Sequence, residues 1–498
     1  MALIQITDLT FTYPGSFDPV FEHVSFQLDT DWRLGLTGRN GRGKTTLLRL
    51  LQGQYPHQGT ITAPGGFEYF PYPIPDAALT PLELLEYSFP DVPQWRLRRE
   101  LAPLFVTDDA LYRPFSTLSG GEQAKILLAL LFAREGRYLL IDEPTNHLDE
   151  TGRALVSRYL AKKSGFLLVS HDRAFLDGCV DHILSINRGG IEVQKGNFSS
   201  WYENRQRQDA FELAQNAQLK KEIGRLKQAA RQSRAWADKV ESTKIGPHSA
   251  KVTGEADAMG GRAYIGEQSR RMQQRRKNLE RRQNAAIEEK SALLKNIEQA
   301  APLKLHQLPY HTDRLALLRD VSVCYGGAPV CRGVSFCVEQ GDRIALRGAN
   351  GTGKTSLLRL LCGEDVPHTG TVERSSRLRI SYVRQDPSGL RGDLGAYAAR
   401  YGLDESLFKA ILRKLDFARV QFEKDMADFS AGQKKKVLLA RSLCEPSHLL
   451  VWDEPLNYVD VLSRMQIEDL LLEFQPTIVF VEHDRVFCDH VATKAVML

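Results

Sequence analysis

The chain has 498 residues, of which 42% are hydrophobic, and this is enough for two hydrophobic cores and a further elongated element. Its formal net charge of +5 is too small to indicate a nucleic-acid partner by itself. Seven cysteines without a C-x-x-C pair argue against a zinc site or a disulfide framework, and the lack of an 18-residue apolar run argues against a membrane span, so we expect a cytoplasmic protein with reduced thiols.

The first element with a recognisable chemistry is a glycine-rich loop. Residues 38–46 read G-R-N-G-R-G-K-T-T and fit the pattern G-x-x-x-x-G-K-[ST], between an apolar strand and a leucine-rich helix. Backbone N–H groups of such a loop surround phosphate oxygens, while Lys44 adds a point charge and Thr45 a hydroxyl for Mg²⁺. The residues expected to bind a nucleotide here are Gly38, Arg39, Asn40, Gly41, Arg42, Gly43, Lys44, Thr45 and Thr46.

A pair of acidic residues follows the next strongly apolar run. Residues 138–144 read Y-L-L-I-D-E-P, which is typical of a parallel strand buried on both faces. Asp142 is placed to hold Mg²⁺, and Glu143 to accept a proton from a water that attacks the γ-phosphate. Alone, such a pair is equally often a helix N-cap or a surface turn, but this pair follows a phosphate loop. His171 ends a further strand at the same expected sheet edge, which favours a phosphate or water contact over a structural role.

The middle of the chain, residues 197–304, has a different pattern. Thr243–Gly266 is rich in glycine and predicts a turn between two helices of about 37 residues, each roughly 55 Å long. The helical spacing rests on two series of apolar residues, namely Leu219, Ile223, Leu226 and Ala230, and then Met272, Leu279, Ala286 and Leu293. We therefore predict an antiparallel helical hairpin that links two domains.

The positive charge of the chain is concentrated in this linker. Residues 201–300 hold 21 Lys and Arg against 13 Asp and Glu, a balance of 21 − 13 = +8, so the other residues sum to 5 − 8 = −3. The stretch from Arg270 to Arg282 contains seven cations and a single acid, Glu280, and these cations repel one another unless an anion screens them. A solvated coiled coil is the alternative, but the pattern favours a phosphate-rich partner.

The second half repeats the first. Residues 348–356 read G-A-N-G-T-G-K-T-S, 310 residues after the first loop, and the other landmarks keep offsets of 311 or 312. The sequence thus predicts a tandem duplication of an α/β unit, with domains at residues 1–196 and 305–498. The repeat adds these candidate nucleotide, metal and catalytic residues: Gly348, Ala349, Asn350, Gly351, Thr352, Gly353, Lys354, Thr355, Ser356, Asp453, Glu454 and His483.

Two further motifs, L-S-G-G-E at residues 118–122 and F-S-A-G-Q at residues 429–433, complete a set that resembles the nucleotide-binding domain of ATP-binding cassette (ABC) proteins. Two P-loop cassettes, no membrane span and a basic helical linker resemble the ABC-F subfamily, whose members act on ribosomes. The resemblance implies an ATPase that sandwiches two ATP molecules with Mg²⁺ head to tail. Each loop then faces the signature residues of the other half, which are Ser430, Ala431 and Gly432 for the first loop and Ser119, Gly120 and Gly121 for the second.

The two composite sites are not equivalent in sequence. The family has a glutamine that approaches Mg²⁺ and the attacking water, and Gln385 occupies this position in the second half, whereas Tyr72 stands there in the first. In addition, Ala431 replaces the usual first glycine of a signature motif. We therefore expect the site built on Lys44 to hydrolyse ATP more slowly than the site built on Lys354.

An aromatic residue precedes each phosphate loop. Tyr13 and Tyr325 are placed like the residue that stacks on adenine in the family. A role as core-filling strand aromatics is equally open for both.

Two features indicate a subgroup of the family. The 47-residue spacing from Tyr72 to Ser119 leaves no room for an inserted arm, and the sequence ends at Leu498 without a basic tail. This layout resembles the Lsa-like group, associated with resistance to lincosamides, pleuromutilins and streptogramin A. The resemblance implies a monomer with intramolecular cassette pairing that enters the E site of the 70S ribosome and brings its linker tip, near rRNA and P-site tRNA, toward the peptidyl-transferase centre.

At the linker tip, Lys244, Lys251, Arg262 and Tyr264 are the expected contacts with rRNA or tRNA, because cations meet phosphates and an exposed aromatic ring stacks on a base. A housekeeping translation or ribosome-assembly factor of the same subfamily is the alternative function. The ATPase of a transporter or of a DNA-repair machine is a third class, disfavoured by the missing membrane span and the missing zinc pairs.

Overall fold

The computed structural model describes residues 2–15, 18–134, 136–146, 148–187, 190–244, 274, 278, 281–282, 303, 305, 307–326 and 328–498. The chain forms two compact units. One consists of Met1–Trp201 with Ala300–Leu498 and contains both α/β cassettes, and the other is Tyr202–Gln299. The predicted α/β fold with two P-loop cassettes is confirmed.

The first cassette is built from two sheets and the helices that cover them. A three-stranded antiparallel sheet has the order β2-β1-β4, and a six-stranded sheet has the order β5-β6-β7-β3-β8-β9, parallel except for β9. The elements are β1 (Leu3–Phe11), β2 (Phe21–Asp29), β3 (Arg33–Thr37), α1 (Lys44–Leu51), β4 (Gln58–Thr62), β5 (Phe67–Phe70), α2 (Pro81–Ser88), α3 (Gln94–Leu101), α4 (Gly120–Ala133), β6 (Tyr138–Asp142), α5 (Glu150–Leu160), β7 (Phe166–Val169), α6 (Arg173–Cys179), β8 (His182–Asn187) and β9 (Gly190–Lys195).

The second cassette repeats this arrangement. Its antiparallel sheet has the order β11-β10-β13, and its parallel sheet has the order β14-β15-β16-β12-β17. The elements are β10 (Arg314–Tyr325), β11 (Ala328–Glu339), β12 (Arg343–Arg347), α8 (Lys354–Cys362), β13 (His368–Arg374), β14 (Ile380–Val383), α9 (Leu394–Arg400), α10 (Glu405–Lys414), α11 (Ala431–Cys444), β15 (Leu449–Asp453), α12 (Val461–Phe474), β16 (Ile478–Val481), α13 (Arg485–Val491) and β17 (Lys494–Met497).

The apolar runs of the sequence become the central parallel strands. Every residue of β7 and of β16 is buried, because helices cover both faces of a parallel sheet. Side chains that accept a backbone N–H begin several helices, and equivalent acids do so in both cassettes, with Asp149 for α5 and Asp460 for α12. The carboxyl ends of β3, β6 and β7 consequently meet at one edge of the sheet, where ligands bind in such folds.

The helix α7 (Phe198–Lys244) leaves the first cassette and runs for 47 residues, a length of roughly 70 Å. On it Ile223 is buried and Leu219 and Leu226 are half-buried, while the pairing of this helix into a hairpin stays a prediction. The helix continues to Lys244, two residues into the predicted turn. The rest of the turn and the second series, Met272, Leu279, Ala286 and Leu293, lie outside the described residues.

None of the helices in the described part of the chain offers an apolar stretch that matches the thickness of a lipid bilayer. All seven cysteines are free, and each is buried or half-buried.

Candidate nucleotide-binding sites

Each phosphate loop wraps around its own lysine. The first loop lies between β3 and α1, and Nζ of Lys44 donates a hydrogen bond of 2.7 Å to the Gly38 carbonyl. In the second loop, Nζ of Lys354 donates to the Gly348 carbonyl at 2.8 Å. A glycine is required at Gly43, because its φ is +92° and a Cβ would lie 2.6 Å from Val20. The N-terminus of a helix and a buried ammonium group therefore face the interior of each loop, as phosphate binding requires.

The predicted acidic pairs end β6 and β15. Asp142 accepts hydrogen bonds at Oδ2 from Thr45 (3.3 Å) and from the hydroxyl of Tyr69 (2.9 Å). The backbone of Glu143 (φ 52°) and of Glu454 (φ 45°) is in the left-handed region. Non-glycine residues held in that region cost about 1–3 kcal/mol, and such strain is found preferentially at functional sites.

The donor set of the second cassette fits a divalent cation. Both carboxylate oxygens of Asp453 are buried, and among the described residues the Thr355 hydroxyl is the hydrogen-bonding group that interacts with them. Burial raises the pKa of Asp453 to about 6, despite the partly compensating interaction with Thr355. A buried carboxylate in this condition is stabilised by a cation, and a carboxylate with a hydroxyl is a ligand pair that Mg²⁺ accepts. Thr355 and Asp453 would hold the ion there, as Thr45 and Asp142 would in the first cassette.

The two histidines lie beside the two glutamates. Nε2 of His171 is 3.2 Å from Oε1 of Glu143, and Nε2 of His483 is 3.3 Å from Oε1 of Glu454. Burial, followed by the nearby charge of Lys44, lowers the pKa of His171 well below its usual value, so its imidazole is neutral near pH 7.

The two glutamates have opposite pKa shifts. Burial raises the pKa of Glu143 to about 8, and the neighbouring Asp142 adds to the effect. Burial also acts to raise the pKa of Glu454, but His483, a hydrogen bond from Gln385 and the charge of Lys435 outweigh it and hold that pKa below its usual value. Near pH 7, Glu454 is therefore a carboxylate and Glu143 is mainly the protonated acid.

The loop of the second cassette faces the signature residues of the first. A cavity of about 890 Å³ is lined by both, and Gln385, Glu454 and His483 also line it. Ser119 caps α4, and its hydroxyl donates to Glu122 at 2.8 Å. The cavity residues from the two motifs are Ser119, Gly120, Gly121, Ala349, Asn350, Gly351, Thr352, Gly353, Lys354, Thr355 and Ser356.

The loop of the first cassette meets the signature region of the second. The Asn40 side chain donates a 2.9 Å hydrogen bond to the carbonyl of Tyr458. A Cβ on Gly432 would lie 2.4 Å from that carbonyl oxygen and 3.1 Å from the Asn40 amide. Ser430 caps α11 as Ser119 caps α4, and Ala431 is the first residue of that helix. The structure thus brings each loop and the opposite signature motif together.

The two tyrosines that precede the loops are each hydrogen-bonded to the following helix. The hydroxyl of Tyr13 is 2.7 Å from Oγ1 of Thr46, and that of Tyr325 is 3.0 Å from Oγ of Ser356. Their exposed fractions are 37% and 46%. Such exposure favours a stacking surface for a base over a purely core-filling role.

Other predicted residues are placed differently or not described. The Tyr72 ring packs against Phe89 at 5.1 Å, and the phenol that contacts Asp142 is that of Tyr69, which sequence reasoning missed. The pairing of β5 with β6 could have indicated it, because Tyr69 lies next to the strand that carries Asp142. Among the predicted tip contacts, Lys244 ends α7, while three lie outside the described residues, namely Lys251, Arg262 and Tyr264.

Comparisons with known proteins give related sequences and folds. The family profile described as ABC transporter matches residues 21–68 and 331–457. The ribosome protection protein VmlR of Bacillus subtilis (strain 168) is 27% identical over 506 residues, covering 99% of this chain and 87% of VmlR. The ATP-binding protein Uup of Caulobacter vibrioides is 29% identical over 500 residues, covering 96% of this chain and 75% of Uup.

Two solved structures share the fold. One is the archaeal ribosome recycling factor aABCE1, in its complex with the ribosomal stalk protein aP1, with a TM-score of 0.62 and 18% identity over 98% of this chain and 87% of that one. The other is an RNase-L inhibitor, with a TM-score of 0.58 and 20% identity over 93% of this chain and 82% of that one. At these identities the likeness concerns the fold alone.

Proposed function

Because the chain is an ABC-F ATPase with two cassettes in tandem, we propose that it protects the ribosome against antibiotics. In this proposal the ATP-bound protein enters the E site of the 70S ribosome. Its linker tip approaches the peptidyl-transferase centre and displaces lincosamides, pleuromutilins or streptogramin A. The observation that carries the proposal is the similarity to VmlR over 99% of the chain, which includes the linker.

Hydrolysis at the Lys354 site is assigned to residues that line one cavity. Glu454 accepts a proton from water as the water oxygen bonds to the γ-phosphorus, and the bond from that phosphorus to the bridging oxygen of ADP breaks. His483 and Gln385 orient the Glu454 carboxylate. Lys354 stabilises the charge that develops on the phosphate oxygens. Mg²⁺, when bound, neutralises phosphate charge.

The arrangement of the sites couples nucleotide to the pairing of the cassettes. Each site takes its phosphate loop from one cassette and its signature helix from the other. ATP in either site therefore contacts both cassettes and holds them together within a single chain. Loss of the γ-phosphate removes the group that the signature serine contacts, and the protein then opens and leaves the ribosome.

The linker is proposed as the element that meets RNA. Residues 201–300 carry a balance of +8, and a surface of that charge attracts phosphate. Lys244, Lys251, Arg262 and Tyr264 are proposed to contact rRNA or P-site tRNA, with the cations on phosphates and the tyrosine ring on a base.

The test is ribosome co-sedimentation of the double variant Glu143→Gln/Glu454→Gln, in which both hydrolytic sites are blocked. We expect it to pellet with 70S ribosomes in ATP but not in ADP. The matched control is Glu86→Gln/Glu373→Gln, which changes one exposed glutamate in each cassette and should not be trapped. Failure of the blocked variant to pellet in ATP would refute the proposal.

A drug-susceptibility test separates protection from the housekeeping alternative. Expression of the chain in a susceptible host should raise tolerance to at least one of the three drug classes. Ribosome binding without any gain in tolerance would support a translation or ribosome-assembly factor instead.

A further inference from the structure

Lys435 is a lysine with no exposed surface, in the middle of a cassette. It lies on α11, five residues after Ser430, and its exposed fraction is 0%. A buried cation is costly unless its donors are satisfied. The contacts of the Lys435 amino group show how the cost of burying this charge is offset.

The amino group of Lys435 donates to three backbone carbonyls. Nζ is 2.9 Å from the carbonyl oxygen of Glu454, 3.0 Å from that of Arg384 and 3.4 Å from that of Asp453. An ammonium group is the side-chain group with three donors in a tetrahedral arrangement, so it matches three carbonyls that converge from two strands. One side chain thus ties the end of β15 to the end of β14.

These carbonyls belong to the segments that carry the predicted hydrolytic groups. Arg384 directly precedes Gln385, and Glu454 follows Asp453. Glu454 has the left-handed φ of 45°, which needs support from its surroundings. The hydrogen bond from Lys435 to the carbonyl of Glu454 supplies such support.

The first cassette lacks this support. Ser430 and Ser119 are 311 residues apart, so the residue that corresponds to Lys435 is Ala124, at 435 − 311 = 124. Glu143 has a left-handed φ of 52° as well, and its Oε1 is buried without a hydrogen bond from the described residues, although His171 Nε2 is 3.2 Å away. The Glu454 carboxylate accepts hydrogen bonds from Asn457 (2.6 Å) and His483 (3.3 Å), whereas the Glu143 carboxylate interacts with the backbone of His171.

We propose that Lys435 is a positioning residue for hydrolysis at the Lys354 site: its ammonium group fixes the backbone of Glu454 relative to Gln385. Its ammonium group donates to backbone carbonyls beside Gln385 and Glu454, so its role is to set where these two side chains point. The inference rests on the proposed role of Glu454 as the proton acceptor. It also explains why one cassette keeps a buried charge where the other has a methyl group.

The test measures steady-state ATP hydrolysis of the full chain in a Glu143→Gln background, so that turnover reports the Lys354 site. Lys435→Met keeps the volume and the apolar stem but removes the three donors. We expect kcat to fall at least roughly tenfold while KM for ATP stays within about twofold, because a misplaced proton acceptor affects the chemical step and spares binding. Leu438→Ala, a core residue on the same helix, is the control for loss of packing and should leave kcat within about twofold.

Three outcomes would overturn the proposal: an unchanged kcat, a rise in KM alone, or an equal loss of kcat in Leu438→Ala. If Lys435→Met does not fold, Lys435→Arg replaces it, since arginine keeps the charge but moves its donors. A loss of kcat at constant KM is then expected, and full activity would contradict the inference.

Glu454→Gln in the same background distinguishes the hypothesis about Lys435 from the hypothesis about Glu454. An active Glu454→Gln variant refutes the role of Glu454, whereas an inactive one beside a fully active Lys435→Met refutes only the role of Lys435.

Discussion

The hydroxyl of Tyr69 donates a hydrogen bond of 2.9 Å to Oδ2 of Asp142. This carboxylate oxygen also accepts from Thr45, so it has two donors before any cation binds. Asp453, the equivalent acid, interacts with the Thr355 hydroxyl but accepts no hydrogen bond from a phenol among the described residues. In the first cassette a phenol therefore competes with a cation for the metal-binding acid. In the second cassette the equivalent acid has no such competing donor among the described residues.

Removal of the Tyr69 hydroxyl should strengthen Mg²⁺ binding at the Lys44 site. In Tyr69→Phe a competing donor to Asp142 is lost, and we expect the Mg²⁺ concentration for half-maximal hydrolysis to fall by roughly threefold or more, an effect of the size of one hydrogen bond. The measurement is a Mg²⁺ titration of ATP hydrolysis in a Glu454→Gln background. Tyr382→Phe, the change at the equivalent position of the second cassette, is the control and should leave the titration unchanged. A weaker response to Mg²⁺ in Tyr69→Phe would contradict the competition.

The two glutamates should contribute unequally to turnover. Glu454 is ionised near pH 7 and has Gln385 beside it, whereas the pKa of Glu143 is raised to about 8. We expect Glu454→Gln to lower steady-state ATP hydrolysis by roughly 100-fold, the usual contribution of a general base, and Glu143→Gln to lower it by no more than about threefold. Equal losses in the two variants would show that the sites are equivalent in function.

The residual activity of the Lys44 site should rise with pH. A glutamate whose pKa is about 8 gains its basic form as the pH increases through that value, so hydrolysis by Glu454→Gln should increase between about pH 6.5 and about pH 9. Glu143→Gln reports Glu454, whose pKa is lowered and which is already ionised at pH 6.5, so its rate should not rise over the same range. Because burial lowers the pKa of Lys435 to about 8, the rate should instead fall above about pH 8, as Lys435 loses the proton of its positioning ammonium group. The pH–rate profiles of the two variants, measured side by side, check this. Parallel profiles would contradict the opposite pKa shifts.

The repeated motifs made much of the fold predictable from the sequence. Loops at residues 38–46 and 348–356, each between an apolar strand and a helix, indicated two α/β units, and the structure has both. Helical spacing likewise indicated the helix that became α7. These features depend on short-range pattern, which a sequence displays directly.

The differences between the two sites were harder to predict from the sequence. Gln385 and Ala431 indicated an asymmetry, but Tyr69 was missed because its contact with Asp142 depends on strand pairing between β5 and β6. Lys435 gave no signal either, since a lysine within a helix usually points to solvent. Its burial becomes apparent only when α11 is packed against the ends of β14 and β15.

A second buried lysine, Lys436, should stabilise the folded protein. Nζ of Lys436 lies 2.9 Å from Oδ2 of Asp460, and the side chains are 3% and 0% exposed. Burial alone would raise the pKa of Asp460, but the charges of Lys436 and Lys44 outweigh it and hold that pKa well below its usual value. Because the pKa in the folded state is below that in the unfolded state, the ion pair stabilises the fold above about pH 4, and this stability is lost as the pH falls further.

Lys436→Met leaves the Asp460 carboxylate buried without its main partner, which should cost about 3–5 kcal/mol at neutral pH. The midpoint of thermal unfolding of the full chain should fall accordingly. In this variant the pKa of Asp460 rises, so its deficit relative to the unchanged chain should shrink on acidification, as protonation removes the unpaired charge. Addition of Asp460→Asn should recover part of the loss, and Lys434→Met, two residues away, should change little. A deficit that stays constant with pH and persists in the double variant would mean that Lys436 stabilises the protein through packing, not charge.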